Sequence, residues 1–147
     1  QRSALFGMGL GGTVVLHVLA TRPEMFSAYI AASPAATWQN AYLLRETDHL
    51  VRHGCTPGKR ASLFIGLGVL GDRSLTQQAG KSDPGSSENA NVVARAIAKR
   101  LSDARPCTFS VTVKTYEDEA HNTVSPSVIG RISRFLREEW AIPANPH

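Results

Sequence analysis

Near the start of the chain, Gly7-Met8-Gly9-Leu10-Gly11-Gly12 places glycines at a spacing that matters for chemistry. A strand that enters a tight glycine turn and leaves as a buried helix has the layout of a nucleophile elbow, G-x-S-x-G. The outer glycines let strand and helix approach closely. The central residue sits at the tip, where its side chain meets substrate. Here the central position holds Gly9, which has no hydroxyl. The backbone signature is present and the nucleophile is not. Ser3, Thr13 and Ser33 are the nearby hydroxyls; Ser33 ends an adjacent strand, and its default role is a turn and capping hydroxyl before Pro34.

The other candidates have plainer readings. His49 and His53 stand four apart beside Asp48, a helical spacing that can hold a metal. No Glu completes an H-E-x-x-H arrangement, and Arg45 and Arg52 surround the pair, so a solvated helix face is expected. His17 falls on an apolar helix and reads as a satisfied core or boundary histidine. The turn 7–12 lacks the lysine of a phosphate loop and the spacing of G-x-G-x-x-G, so no nucleotide is expected there. No metal and no cofactor is implied.

These residues need elements to position them. Residues 3–6 read as the end of a short buried strand, and an apolar helix follows through 13–20, expected to be buried on nearly every face. Residues 28–32 form an apolar run bounded by Ser33-Pro34, a strand buried on both faces. A helix is expected over 40–53, with Leu43, Leu44, Leu50 and Val51 inward and Gly54 as its C-terminal cap. Leu63-Phe64-Ile65-Gly66-Leu67 is a third buried strand. Residues 71–87, rich in Gly, Ser, Asp and Gln, read as a loop. Ser86 or Ser87 caps a helix to about Ala104 with Val92, Val93, Ala96, Ile97 and Leu101 inward. Residues 107–116 alternate apolar and polar, as a half-exposed edge strand does. Ser125-Pro126 opens a last helix whose stripe is Val128, Ile132, Leu136 and Trp140. Strands alternating with helices give an α/β fold with a mainly parallel sheet of about four strands flanked by helices.

The chain has 147 residues, 42 % hydrophobic and 19 % charged, which fits one globular domain. No apolar run approaches the roughly 20 residues that span a bilayer, so no membrane partner is expected. Sixteen basic against twelve acidic residues leave a net charge of +4 without a Lys/Arg block, which argues against nucleic acid. Cys55 and Cys107 exclude a disulfide scaffold; two reduced thiols are the default reading, and a single bridge stays open. Without a signal peptide, a cytoplasmic location is expected, with the periplasm left open. The abrupt start, in mid-strand, reads as part of something longer.

The chain resembles the C-terminal half of the esterase D and enterochelin (siderophore) esterase branch of the α/β-hydrolases. The resemblance rests on residues 4–12, on Arg22-Pro23-Glu24-Met25-Phe26 through Ala31-Ala32-Ser33-Pro34, on Leu63-Phe64-Ile65-Gly66, and on Glu119-Ala120-His121-Asn122-Thr123-Val124. It implies a single, truncated α/β-hydrolase-like domain over 1–147. It also implies that His121 is the catalytic base and that the Leu10 N–H is half of an oxyanion hole. One of Glu117, Asp118 and Glu119 could orient the imidazole, although an acidic surface loop is their default reading.

Three departures bear on activity. Gly9 replaces the serine, Met8 replaces the usual histidine beside it, and Val69 and Gly71 occupy the acidic positions, which leaves Asp72 as the nearby carboxylate. The expected function is therefore that of a serine carboxylic-ester hydrolase relative without its nucleophile, impaired or inactive and serving as a binding or assembly module. The alternative is an active esterase completed by a partner chain or a displaced serine. A small-molecule ester, siderophore-like in this family, is the expected ligand. The strand 3–6 should form an open sheet edge that pairs in a homodimer or with a missing N-terminal half.

Overall fold

The computed structural model describes residues 2–54, 60–70, 87–105 and 107–141. Apolar runs punctuated by glycine and proline become the strands β1 (Ala4–Met8), β2 (Ala28–Ala32), β3 (Arg60–Gly68) and β4 (Thr108–Tyr116). Every pairing is parallel, and the spatial order follows the chain, β1-β2-β3-β4. Parallel neighbours require crossovers. These contain α1 (Leu10–Thr21), α2 (Trp38–His49) and α3 (Ser87–Asp103), while α4 (Ser125–Ala141) follows β4.

The helices cover both faces of the sheet. On one face Val15, Leu16 and Leu19 of α1, Leu43 of α2, and Ile97 and Leu101 of α3 pack on Tyr29, Leu63, Ile65 and Leu67. On the other, Val128 and Phe135 of α4 pack on Ala28, Ile30, Ala32 and Phe64. This is why β2 is buried at all five positions. β4 alternates as an edge strand does. Its Phe109, Val111 and Val113 join the first cluster, while Ser110 on the opposite face donates to Glu139 of α4 at 2.8 Å. Among the described residues no helix is long and apolar enough to cross a membrane.

Several expectations are corrected. The outer side of α1 is open: Leu10 and Val14 are 60 % and 57 % exposed. The buried stripe of α3 runs through Ala90, Ala94, Ile97, Ala98 and Leu101, with Val92 outside. Alanines let the helix lie close to the sheet, so the stripe is set by small residues and Val92 turns away. The helix expected over 40–53 is broken at its start, where Gln39, Asn40 and Ala41 have left-handed φ and ψ, and the run that follows ends in a π-helical turn at Leu50–Gly54. Gly54 does not close it in the left-handed form, because Gly9 is the only glycine with positive φ among the described residues. Phe135 joins the α4 stripe as a buried residue. Cys107 is buried and disulfide-bonded, so reduced thiols are not what the fold holds; Cys55 lies outside the described residues.

Candidate active site

The C-terminal ends of β1 and β2 build the elbow. Gly9 has φ 55° and ψ −120°, the first-corner geometry of a type II′ turn, where glycine is favoured. Its N–H donates to Ala32 O at 3.0 Å, and its carbonyl accepts from the N–H groups of Thr13 and Ala35, both at 3.1 Å. The glycines divide the work. A Cβ on Gly7 would fall onto the Gly11 carbonyl, and one on Gly12 would press within 3.1 Å of Pro34 Cα. A Cβ on Gly9 would meet nothing within 4 Å. The turn therefore keeps an open space where an elbow side chain would stand. Leu10 is the first residue of α1, and its N–H has no intrahelical acceptor. No side-chain cap and no acidic residue occupies that helix start.

The loop after β4 carries His121 back across the sheet. Val69 N–H donates to Tyr116 O at 3.2 Å and Leu70 N–H to Glu119 O at 2.9 Å. Two glycines of β3 make room for this return: a Cβ on Gly68 would fall onto the Ala120 carbonyl, and one on Gly66 onto Val128. At the far side, Ser125 Oγ donates to Met8 Sδ at 2.8 Å. His121 thus lies between Ala120, seated over β3, and Ser125, seated beside the residue that precedes Gly9. Its Nδ1 is buried and has no hydrogen-bond partner among the described residues.

The acidic residues before it do not supply that partner. Glu119 accepts from Ser127 Oγ at 2.8 Å, and hydrogen bonds from Thr123 and then Ser127 hold its carboxyl below the ordinary value. Glu117 and Asp118 are exposed. Asp72 lies outside the described residues, as does Gly71; Val69 is tied to the loop through its backbone.

None of the nearby hydroxyls stands free at the elbow tip: two are hydrogen-bonded and the third lies at the far end of β1. Ser33 is wholly buried, and its Oγ accepts from Gly68 N–H at 3.3 Å. Thr13 Oγ1 donates to Gly9 O at 3.3 Å. Ser3 sits at the opposite end of β1, where Ser27 Oγ donates to its carbonyl at 2.8 Å. His17 is half-exposed rather than core, with Nδ1 2.8 Å from Glu46. The His49 and His53 rings lie 5.1 Å apart, and Asp48 pairs with Arg100 at 2.7 Å. Among the described residues no three His, Cys, Asp or Glu side chains gather as a metal site. Sequence reasoning passed over Gly68 and the Met8–Ser125 contact. The alternating Gly66-Leu67-Gly68 was the available signal, since it leaves one face of a strand end bare.

No family model matches the chain. Over its whole length it is 30 % identical to the ferri-bacillibactin esterase BesA of Bacillus subtilis (strain 168), of which it spans 45 %. It superposes along its whole length on the siderophore hydrolase EstB of Aspergillus nidulans with a TM-score of 0.74 and 28 % identity, covering 52 % of that chain. The chain is related to the siderophore esterases. It also shares 44 % identity over 50 residues with the siderophore enterobactin esterase of Emericella nidulans, 16 % of that protein. The chain therefore spans about half the length of the siderophore esterases it matches, and its sheet and flanking helices are a part of their fold.

Proposed function

We propose that this chain is a catalytically impaired relative of the siderophore esterases that binds carboxylic esters at the C-terminal edge of its sheet without acyl transfer. The observation that carries the reading is Gly9: an elbow backbone whose tip has no hydroxyl and, among the described residues, open space above it. In this reading His121 holds the base position, the Leu10 N–H offers one oxyanion donor, and Asp72 is the candidate acid. A base without a nucleophile cannot start acyl transfer; in a well-studied serine protease, loss of the serine alone costs on the order of 10⁶ in kcat. The displaced-serine alternative finds no support among Ser3, Thr13 and Ser33, whose hydroxyls are buried, bonded or at the wrong end of the strand. A siderophore ester is the ligand suggested by the relatives' names.

The reading includes a partner. Among the described residues β1 is an edge strand, and the relatives carry about as many residues again as this chain supplies. We assign that edge to the complementary part of the esterase fold. The disulfide at Cys107 favours an oxidising compartment over the cytoplasm. The test of function is p-nitrophenyl acetate: binding without turnover is expected, and turnover that disappears in His121→Ala would support an active esterase instead.

A further inference from the structure

Two histidines between β2 and β3 stand side by side. His49 ends α2 and His53 lies in the π-helical turn after it, and both are exposed. Their ring centres are 5.1 Å apart, with the planes tilted by 53°. Among the described residues neither ring makes a hydrogen bond or an ion pair, so their nitrogens are available. A metal bonded to two imidazole nitrogens at about 2.0–2.1 Å has each ring centre about 3.2 Å away; at bond angles of about 90–110° the two centres are then about 4.5–5.2 Å apart. The observed spacing falls inside that range, and the rings need little rearrangement to share one ion. The arginines that flank the pair in sequence turn away from it. Arg45 Nη1 donates to Asn40 O at 3.3 Å, towards the start of α2. Arg52 lines the groove that faces α3, where Asp48 pairs with Arg100 at 2.7 Å. His49 instead lines a separate cleft of about 400 Å³ at the end of α1, which Glu24 and Glu46 also line. His17 holds Glu46 there at 2.8 Å. The end of α1, at Ala20 and Thr21, closes the same cleft, and helix C-termini carry partial negative charge. A cation at the pair meets carboxylates and a helix end rather than arginines.

We infer that His49 and His53 chelate one divalent transition-metal ion of borderline softness, such as Zn²⁺ or Cu²⁺, at the surface. Imidazole suits these ions, whereas Mg²⁺ takes oxygen ligands. No third His, Cys, Asp or Glu gathers with the pair among the described residues, so water fills the remaining positions. The site is therefore open and exchangeable, unlike the closed four-ligand sites on which small folds depend. Bridging His49 to His53 clamps the π-helical turn that ends the helical run, and the ion stabilises the folded chain by binding it in preference to the unfolded one.

Calorimetric titration of the whole chain with ZnCl₂, CuCl₂ and MgCl₂ at neutral pH tests this. One Zn²⁺ per chain is expected, Cu²⁺ should bind more tightly than Zn²⁺, and Mg²⁺ should not bind. His49→Ala and His53→Ala should each weaken Zn²⁺ binding about tenfold or more, since losing a direct ligand costs no less than losing an outer-shell partner. Both side chains are exposed, so the metal-free variants should unfold in urea at the wild-type midpoint. Saturating Zn²⁺ should raise the midpoint of the wild type and of neither variant. Electron paramagnetic resonance of the wild-type Cu²⁺ complex should show two imidazole nitrogens, a readout that needs no variant. Zn²⁺ binding of undiminished strength in either variant overturns the inference. So does one ion per two chains, Mg²⁺ binding as tight as Zn²⁺, or no saturable Zn²⁺ binding by the wild type.

Discussion

At the scale of single residues, the elbow glycines have opposite sensitivities. Gly7 has no room, because its Cβ would enter the backbone at Gly11. Gly7→Ala should destabilise by about 1–3 kcal/mol or more, as overpacking against rigid backbone does. Gly11→Ala, inside α1 with nothing within 4 Å, should stabilise by about 0.5–1 kcal/mol. Urea denaturation of the two variants checks the sign of each. Gly9→Ser has space but meets positive φ, at a cost of roughly 1–3 kcal/mol. It should give little or no hydrolysis of p-nitrophenyl acetate, since a second oxyanion donor and an acid on His121 Nδ1 are both lacking among the described residues, and an oxyanion donor alone is worth about 10²–10³ in rate. Robust turnover by this variant would mean the site is more complete than proposed.

At the scale of elements, α4 is fastened to the sheet at both ends. Near its C-terminus Glu139 accepts from Ser62 Oγ at 2.6 Å and Ser110 Oγ at 2.8 Å, and pairs with Arg60 at 3.1 Å. Glu139→Ala leaves the buried Ser62 hydroxyl unpaired and should cost about 1–3 kcal/mol, read as a lower denaturation midpoint. At its N-terminus Glu119 is held in its ionised form by Thr123 and Ser127. Its folded pKa is depressed below 4.5, so the stabilisation is present above that value and fades as pH falls through the folded pKa. Glu119→Gln should therefore weaken the protein at pH 7 and make little difference in strong acid. Equal effects at both pH values would show that its hydrogen bonds, not its charge, hold the loop.

At the scale of the whole molecule, the two sheet edges differ. β4 is flanked by α3 and carries polar alternation, whereas β1 ends the sheet with Phe6 and Met8 exposed on the α4 side. Ile129 is exposed one turn from Ser125, the α4 residue that reaches Met8. An apolar edge of this kind invites pairing. Light scattering at micromolar concentration should report association, and a polypeptide carrying the complementary part of the esterase fold should compete it away. A dimer that such a segment leaves intact would assign the edge to a second copy through a two-fold axis. A stable monomer indifferent to the segment would remove the partner altogether.

Much of this was legible in one dimension. The four strands, the helix after each and the parallel class follow from apolar runs bounded by glycine and proline, because period and punctuation are local properties. The missing hydroxyl at Gly9 is likewise plain in the sequence, since side-chain chemistry does not depend on folding. Tertiary structure alone decided which glycines matter: Gly7, Gly12, Gly66 and Gly68 are required by what lies across from them, while Gly11 is not. It turned Val92 outward and left Leu10 and Val14 bare, because burial depends on which neighbours arrive, not on how apolar a helix is. It also carried His121 from the end of β4 back towards β1. That path is set by contacts with residues about fifty and more than a hundred positions away, at Gly68 and Met8, and no window of local sequence contains them.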